Sequence, residues 1–178
     1  TRPRSDIVGS YGAEAVEWIE AAERKTLRWW QRLAVTRQLE HLADGSLAHR
    51  VVCESAPRRA GKSVRLRGVA LWRMDHGPAL FGETQLVMHT GKDVAIVREI
   101  QRAAWRWAEE VMGWEVSRAN GKEALETLDG DRWLARAMHS VYGYDVCLGM
   151  VDEGWDVDPA AVDEGMEPAT LERNSPQL

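Results

Sequence analysis

The hydrophobic positions along the chain predict an alternation of helices and strands. Apolar residues recur at helical spacing through residues 13–42, and a break near Lys25-Thr26 predicts two helices instead of one. Residues 48–54 then form a short apolar run that is typical of a buried strand, and the periodicity becomes helical again from Lys62. Strand, loop and helix therefore follow one another in the first half of the chain.

The alternation repeats further along. Residues 84–89 predict a second strand, and residues 93–112 predict a long helix with Asp93 as its N-cap. Within residues 115–138 the hydrophobic period changes to two, and an Asn-Gly and an Asp-Gly turn predict a small antiparallel meander. Residues 146–151 carry no polar residue, as in strands that a parallel sheet buries on both faces. The fold class is therefore α/β, a mostly parallel sheet flanked by helices.

The amino-acid composition indicates the class of protein and the cellular compartment in which we expect it. The chain of 178 residues carries 23 Lys and Arg, 28 Asp and Glu, and 44% hydrophobic residues, which is typical of one globular domain. No apolar run approaches the roughly 20 residues of a membrane span, and residues 1–5 lack the apolar stretch of a signal peptide. We therefore expect a cytoplasmic protein with no membrane partner. Residues 150–178 carry eight acidic residues and one basic residue, which leaves residues 1–149 with a net charge of +2, so the overall net charge of −5 leaves DNA binding open.

The two cysteines, Cys53 and Cys147, both fall within apolar runs that predict strands. This placement favours reduced, buried thiols over a disulfide or a metal ligand. No spacing of Cys and His in the sequence suggests zinc, so a metal is expected to enter only together with a ligand.

The loop between the first predicted strand and the following helix carries the most specific motif. Its sequence Ala-Pro-Arg-Arg-Ala-Gly-Lys-Ser over residues 56–63 matches the phosphate-loop pattern G-x-x-x-x-G-K-[ST], with Ala56 in place of the first glycine. Backbone N–H groups at the start of such a helix form an anion site. Lys62 would then reach the β- and γ-phosphates of a nucleotide, and Ser63 would hold Mg²⁺. A chance Gly-Lys-Ser is the alternative, and the position between strand and helix favours the motif.

Further residues are expected to contact ATP. The guanidinium groups of Arg58 and Arg59 would bind phosphate oxygens in fork geometry, which makes both arginines candidates for catalysis as well as binding. Gln31 is a candidate because a glutamine amide can read both N6 and N7 of adenine, with a plain surface glutamine as the alternative. The nucleotide-binding residues expected in the loop are Pro57, Arg58, Arg59, Ala60, Gly61, Lys62 and Ser63.

Two adjacent carboxylates, Asp152 and Glu153, follow the last predicted strand. Because α/β proteins bind ligands at the carboxyl ends of their strands, Asp152 is expected in the Mg²⁺ shell and Glu153 is expected to orient and deprotonate water. A solvated loop is the alternative for such a pair, and the phosphate loop earlier in the chain favours ATP hydrolysis. His89 and His139, in contrast, are expected to be satisfied structural histidines.

Together these segments resemble the large terminase subunit of tailed bacteriophages, the motor ATPase of DNA packaging. Trp29-Trp30-Gln31-Arg32 resembles the adenine motif of the family, residues 56–63 resemble its phosphate loop, and Thr90-Gly-Lys-Asp93 resembles the strand-to-helix segment that follows. The hairpin and the acidic strand of the family are resembled by Asn120-Gly121, Gly130-Asp-Arg-Trp133, Gly143 and Val151-Asp-Glu-Gly-Trp155. The resemblance spans nearly the whole chain. It implies a P-loop NTPase fold of the additional-strand, catalytic-glutamate type.

The resemblance also implies an organisation and a purpose. Residues 1–47 would form an N-terminal helical segment with the adenine-reading glutamine, residues 48–157 the core, and residues 158–178 an acidic connecting segment. Hydrolysis of ATP with Mg²⁺ would power translocation of double-stranded DNA into a procapsid. The implied partners are the portal protein, the small terminase subunit and other copies of the chain in a ring, in the cytoplasm of the host cell.

The sequence departs from the family pattern in one site residue. Some family members carry an arginine that acts across the subunit boundary, immediately before the glycine that corresponds to Gly143, but this chain has Tyr142 there. Arg132 and Arg136 are candidates for that role, and a structural role is the alternative for each.

The second departure is length, because the coupling motif and the nuclease that follow in the family are not present in this sequence. We therefore expect a fragment whose sheet has an empty slot, with residues 51–54 and 146–151 separated by about 10 Å instead of about 5 Å.

Two other functions would use the same motifs. One is a helicase-like DNA-dependent ATPase of repair or recombination, and the other is an assembly subunit that binds nucleotide without useful turnover.

Overall fold

A five-stranded mixed sheet lies at the centre of the computed structural model, which describes residues 4–178. Residues 1–3, part of the stretch in which no signal peptide is expected, lie outside the described residues. The strands are β3 (Leu86–Gly91), β4 (Glu115–Ser117), β5 (Ala124–Glu126), β6 (Arg132–Ala135) and β7 (Leu148–Asp152), in the order β4-β5-β6-β3-β7. A separate two-stranded sheet pairs β1 (Gly9–Ser10) with β2 (Glu40–His41).

The predicted meander and the predicted parallel pairing are both present. β4, β5 and β6 pair antiparallel, whereas β3 pairs parallel with β6 on one side and with β7 on the other. Period-two alternation separates two apolar cores, because neighbouring residues of a strand face opposite sides of the sheet. Val87, Trp133 and Leu148 face one core, and Met88 and Leu134 face the other.

Four helices pack with the first of these cores. They are α1 (Gly12–Glu23), α2 (Trp29–Gln38), α3 (Lys62–Phe81) and α4 (Val94–Trp107), and α4 continues into a π-helical turn over Ala108–Met112. The predicted break between the first two helices is confirmed, because Arg24 adopts a left-handed conformation with φ of 50° and ends α1. The predicted N-cap is also confirmed, since Asp93 accepts a hydrogen bond from the backbone N–H of Ala95 at 2.8 Å.

The second core is covered by the C-terminal part of the chain. Short helical turns at Pro159–Ala161, Val162–Met166 and Pro168–Thr170 follow β7. Met166 is fully buried and packs so closely that a Cβ on Gly149 would lie 2.7 Å from its sulfur. Across residues 4–178, no helix combines the length and apolar character needed to cross a membrane.

The predicted buried strand over residues 48–54 is wrong. Residues 51–57 have no regular secondary structure, Val51 is 64% exposed, and Cys53 is exposed while Cys147 is buried as expected. The physical reason is that this segment lies at an edge and pairs on one side only. Its backbone bonds to the rest of the sheet are Val52 N–H to Leu178 O at 2.8 Å and Leu178 N–H to Arg50 O at 2.7 Å.

The expectation of an empty slot in the sheet is wrong as well. Gln177 exchanges backbone hydrogen bonds with β7, from Gly149 N–H to Gln177 O at 2.8 Å and from Gln177 N–H to Cys147 O at 2.9 Å. The next residue, Leu178, bonds to the segment before the phosphate loop. Residues 177–178 therefore fill the space between the two segments, which are not direct neighbours, and all three run parallel.

Candidate functional site

The predicted phosphate loop, residues 56–63, is held by hydrogen bonds from two side chains at the start of α2. Arg28 Nη1 donates to Ala60 O at 2.9 Å, and Gln31 Nε2 donates to Gly61 O at 2.8 Å. In a trans peptide unit the C=O and the following N–H point in opposite directions. Fastening these two carbonyls therefore turns the N–H groups of Gly61 and Lys62 to the other side of the loop.

Backbone conformation shapes the loop further. Ala60 N–H closes a turn onto Pro57 O at 3.2 Å, and Arg59 within that turn has a positive φ of 63°. Gly61 has φ of 101°, and a Cβ at this position would lie 2.9 Å from Gln31 Nε2. Glycine is thus required both by the dihedral angle and by the close approach of the amide that holds the loop.

The cationic side chains of the loop stand at the start of a 20-residue helix, α3. Arg58 and Arg59 are exposed, Lys62 is half-buried and Ser63 is exposed. Within residues 4–178, none of these four side chains has a hydrogen-bond or ion-pair partner, and the N–H groups of Gly61, Lys62 and Ser63 have no acceptor. Unpaired donors beside positive charge at a helix N-terminus form an anion site.

The structure places Gln31 against the loop instead of at the surface. Its side chain is 3% exposed, and its Oε1 accepts from the backbone N–H of Arg28 at 2.7 Å while its Nε2 holds Gly61. Adenine reading by Gln31 stays a prediction. Sequence reasoning missed Arg28, although a glutamine three residues after the start of a predicted helix is itself a signal of an N-terminal capping arrangement.

We expect Gln31→Ala to weaken nucleotide binding about tenfold, because the loss of a buried hydrogen bond frees the Gly61 carbonyl to turn toward the phosphates. Arg28→Ala should have a similar effect through Ala60. Titration with ATP and with GTP measures both, and Arg37→Ala, an exposed residue at the other end of α2, serves as the control. Equal losses for the two nucleotides would indicate loop positioning, a loss confined to ATP would indicate adenine reading, and no loss would contradict both.

The acidic pair lies at the carboxyl end of β7. Asp152 is the last residue of the strand and stands in register with Gly91 of β3. Glu153 follows in a left-handed conformation with φ of 56°, and its N–H donates to Asp152 Oδ1 at 3.0 Å. Trp155 Nε1 donates to Glu153 Oε2 at 3.0 Å, a contact that sequence reasoning did not anticipate.

Because the segments pair in parallel, the acidic pair and the predicted phosphate loop lie at the same end of the sheet, where the strands have their carboxyl ends. Residues 50–52, residues 177–178 and β7 run in one direction, so the loop and Asp152 both follow carboxyl ends of parallel segments. Two segments separated by one intervening strand lie about 10 Å apart. A cavity of 110 Å³ adjoins Asp152, Glu153 and Lys92, and it does not extend to the loop.

Oxygen ligands for a divalent cation are available at this edge, in Ser63 and Asp152. Across residues 4–178, no group of three or more His, Cys, Asp or Glu side chains could hold a metal by itself. Mg²⁺ is commonly bound by one or two protein oxygens together with water and substrate phosphates. The donor set therefore fits a cation that enters with a nucleotide better than a resident metal centre.

The two candidate arginines lie at opposite ends of β6. Arg132 is exposed at the amino end of β6, away from the acidic pair. Arg136 follows the carboxyl end of the same strand, but its Nη1 donates to Glu123 O at 3.0 Å and Ala135 O at 2.9 Å. Arg136 thus has a structural role, and assignment of either residue to a neighbouring subunit's site stays a prediction.

His89 is buried in β3 and stacks on Trp133, with the ring centres 6.0 Å apart. Burial lowers its pKa from 6.5 to about 3, so the ring is neutral at physiological pH. Among the described residues neither ring nitrogen has a hydrogen-bond partner, and the expectation of a satisfied histidine is wrong at this position. His139 is exposed.

We expect the free energy of unfolding to decrease as the pH falls from 6.5 toward 3, by up to about 1.4 kcal/mol per pH unit from His89 alone. The sign follows because the unfolded chain binds a proton in this interval and the folded chain does not. Urea unfolding at several pH values measures the slope. His89→Gln should reduce the slope and His139→Gln should leave it unchanged; equal slopes in both variants would contradict this assignment.

Comparisons with known proteins bear on the fold. No protein-family model and no curated protein matches the sequence. The crystal structure of the HK97 bacteriophage large terminase is similar over 95% of this chain and 37% of its own, with a TM-score of 0.75 and 15% sequence identity. The large terminase from the thermophilic bacteriophage D6E, in complex with ADP, is similar over 68% of this chain and 31% of its own, with a TM-score of 0.49 and 18% identity.

This chain therefore spans little more than a third of the length of the HK97 protein. At 15% identity the likeness establishes the fold and does not transfer an activity. The resemblance to large terminases indicated by the sequence motifs is confirmed at that level: the chain has the fold of the matched part of the HK97 large terminase.

Proposed function

We propose that the chain is a P-loop ATPase domain of the additional-strand, catalytic-glutamate type, formed by residues 1–178. The observation that carries this proposal is the phosphate loop, whose carbonyls are fastened by Arg28 and Gln31 while its N–H groups stay unpaired at the start of α3. A loop prepared in this way binds a polyphosphate without first having to reorganise. The carboxyl end of β7, at the same end of the sheet, supplies the acidic groups that hydrolysis needs.

In this proposal each residue has one task. Lys62 and the N–H groups of the loop bind the β- and γ-phosphates, and Arg58 and Arg59 add charge from the exposed side. Ser63 and Asp152 hold Mg²⁺, which neutralises charge on the phosphates when it is bound. Glu153 accepts a proton from the attacking water, and the resulting hydroxide displaces ADP from the γ-phosphorus.

The fold shared with the HK97 large terminase supports a role in packaging double-stranded viral DNA into a procapsid. A ring of copies docked on a portal protein, together with a small terminase subunit, would be the working assembly. Residues 150–178 carry eight acidic residues and one basic residue, so residues 1–149 carry 20 acidic and 22 basic residues and have no excess of negative charge to repel DNA.

Release of inorganic phosphate from ATP in the presence of Mg²⁺ tests the catalytic part of this proposal. Measurable turnover that requires Mg²⁺ would support it. Binding of ATP without any phosphate release would instead indicate the assembly subunit without turnover. Packaging of linear double-stranded DNA into procapsids by the full-length protein tests the motor role, and ATPase activity without packaging would separate the two.

A further inference from the structure

Trp155 contacts the candidate general base directly. Its indole Nε1 donates a hydrogen bond to Glu153 Oε2 at 3.0 Å, and its side chain is 79% exposed. An indole this exposed contributes little apolar burial to the stability of the fold. The hydrogen bond to the carboxylate is therefore the main interaction that the side chain makes, and it is made with a proposed catalytic group.

The turn that presents Trp155 is fixed at both ends. Glu153 has a left-handed backbone conformation with φ of 56°, which costs free energy in a non-glycine residue and persists only where the surroundings enforce it. A 3₁₀ turn over Gly154–Asp156 follows, closed by Asp156 N–H donating to Glu153 O at 2.9 Å. Beyond the indole, the Asp156 carboxylate forms an ion pair with Lys92, which follows β3.

We propose that Trp155 is a positioning residue that acts through Glu153. By binding Oε2, the indole fixes the rotation of the carboxylate and leaves Oε1 as the oxygen that accepts the proton of water. A general base must lie within hydrogen-bond reach of the proton that it removes, so a carboxylate on an exposed turn gains from a second fixed contact. This inference rests on the proposed ATPase function, and it assigns a specific task to a residue that contacts the proposed general base.

Trp155→Phe tests the inference, since phenylalanine keeps an aromatic ring and removes the N–H donor. We expect kcat for ATP hydrolysis to fall about tenfold while KM stays within a factor of two, because Trp155 contacts the carboxylate and not the nucleotide. Trp105→Phe is the matched control. It removes an indole N–H that has no acceptor in the described chain, roughly 16 Å along α4 from the end of that helix that adjoins the acidic pair.

A double-mutant cycle separates positioning from a general structural effect. In the Glu153→Gln background, Trp155→Phe should cause no further decrease in kcat, because the group through which it acts has already been removed. An additional tenfold loss there, or a wild-type kcat in Trp155→Phe alone, would overturn the inference. Failure of the proposed function would look different, since the wild-type chain would then release no phosphate from ATP at all.

Discussion

Glu153→Gln should reduce ATP turnover by about 100-fold or more and leave nucleotide affinity nearly unchanged. Glutamine has the shape of glutamate and can still accept the indole hydrogen bond of Trp155, but it cannot accept a proton from water. The carboxylate stands on an exposed turn after β7, so the substitution removes no buried charge and should not unfold the chain. Phosphate release gives the turnover, and titration with a fluorescent ATP analogue gives the affinity.

Glu126→Gln is a suitable control, because Glu126 lies in β5 of the antiparallel meander and outside the candidate site. Normal turnover in Glu153→Gln would show that the assignment of the general base is wrong. If turnover and affinity fell together, Glu153 would be a binding group instead of a base, since only an interaction made in the transition state lowers kcat alone.

Lys62→Ala should weaken ATP binding by about 10- to 100-fold, the usual contribution of a hydrogen bond to a charged group. The lysine charge attracts the phosphates in both the ground state and the transition state, so affinity and kcat/KM should fall together while kcat at saturating ATP changes much less. This pattern distinguishes Lys62 from Glu153. Direct titration with ATP measures it.

Lys122→Ala, in the exposed turn between β4 and β5, removes an equal charge at a distance from the loop and should leave the affinity unchanged. If Lys62→Ala bound ATP as tightly as the wild type, the loop would not be the nucleotide site. The unpaired N–H groups of Gly61 and Ser63 would then need a different ligand.

The parts of the fold that the sequence predicted are those fixed by local physics. The meander follows from a change of hydrophobic period and two glycine turns, and the start of α4 follows from the capping side chain of Asp93. The start of α3 at Lys62 also follows from a local signal, because Gly61 before it adopts a positive φ. Each of these signals lies within a few residues of the feature that it determines.

The parts that could not be predicted depend on contacts between distant segments. The environment of Gln31 is set by Gly61, 30 residues away, and the exposure of Cys53 follows from pairing with Leu178 on one side only. A hydrophobic run such as residues 48–54 indicates that a segment can be buried, but it does not indicate how many strands will pair with that segment. Pairing partners are set by the tertiary structure, which single-sequence periodicity does not contain.

The pairing of residues 177–178 between β7 and the segment before the phosphate loop has a consequence for the order of events during synthesis. Leu178 is joined by backbone hydrogen bonds to Arg50 and Val52, so the hydrogen bonds that link the two sides of the site through the sheet form only after residue 178 has left the ribosome. Helices such as α3 form from local contacts and can be present long before that moment. An emerging chain therefore carries the predicted phosphate loop early, and the sheet connection between that loop and the carboxylates of β7 forms last, which in the proposed function would delay nucleotide hydrolysis until this part of the polypeptide is complete.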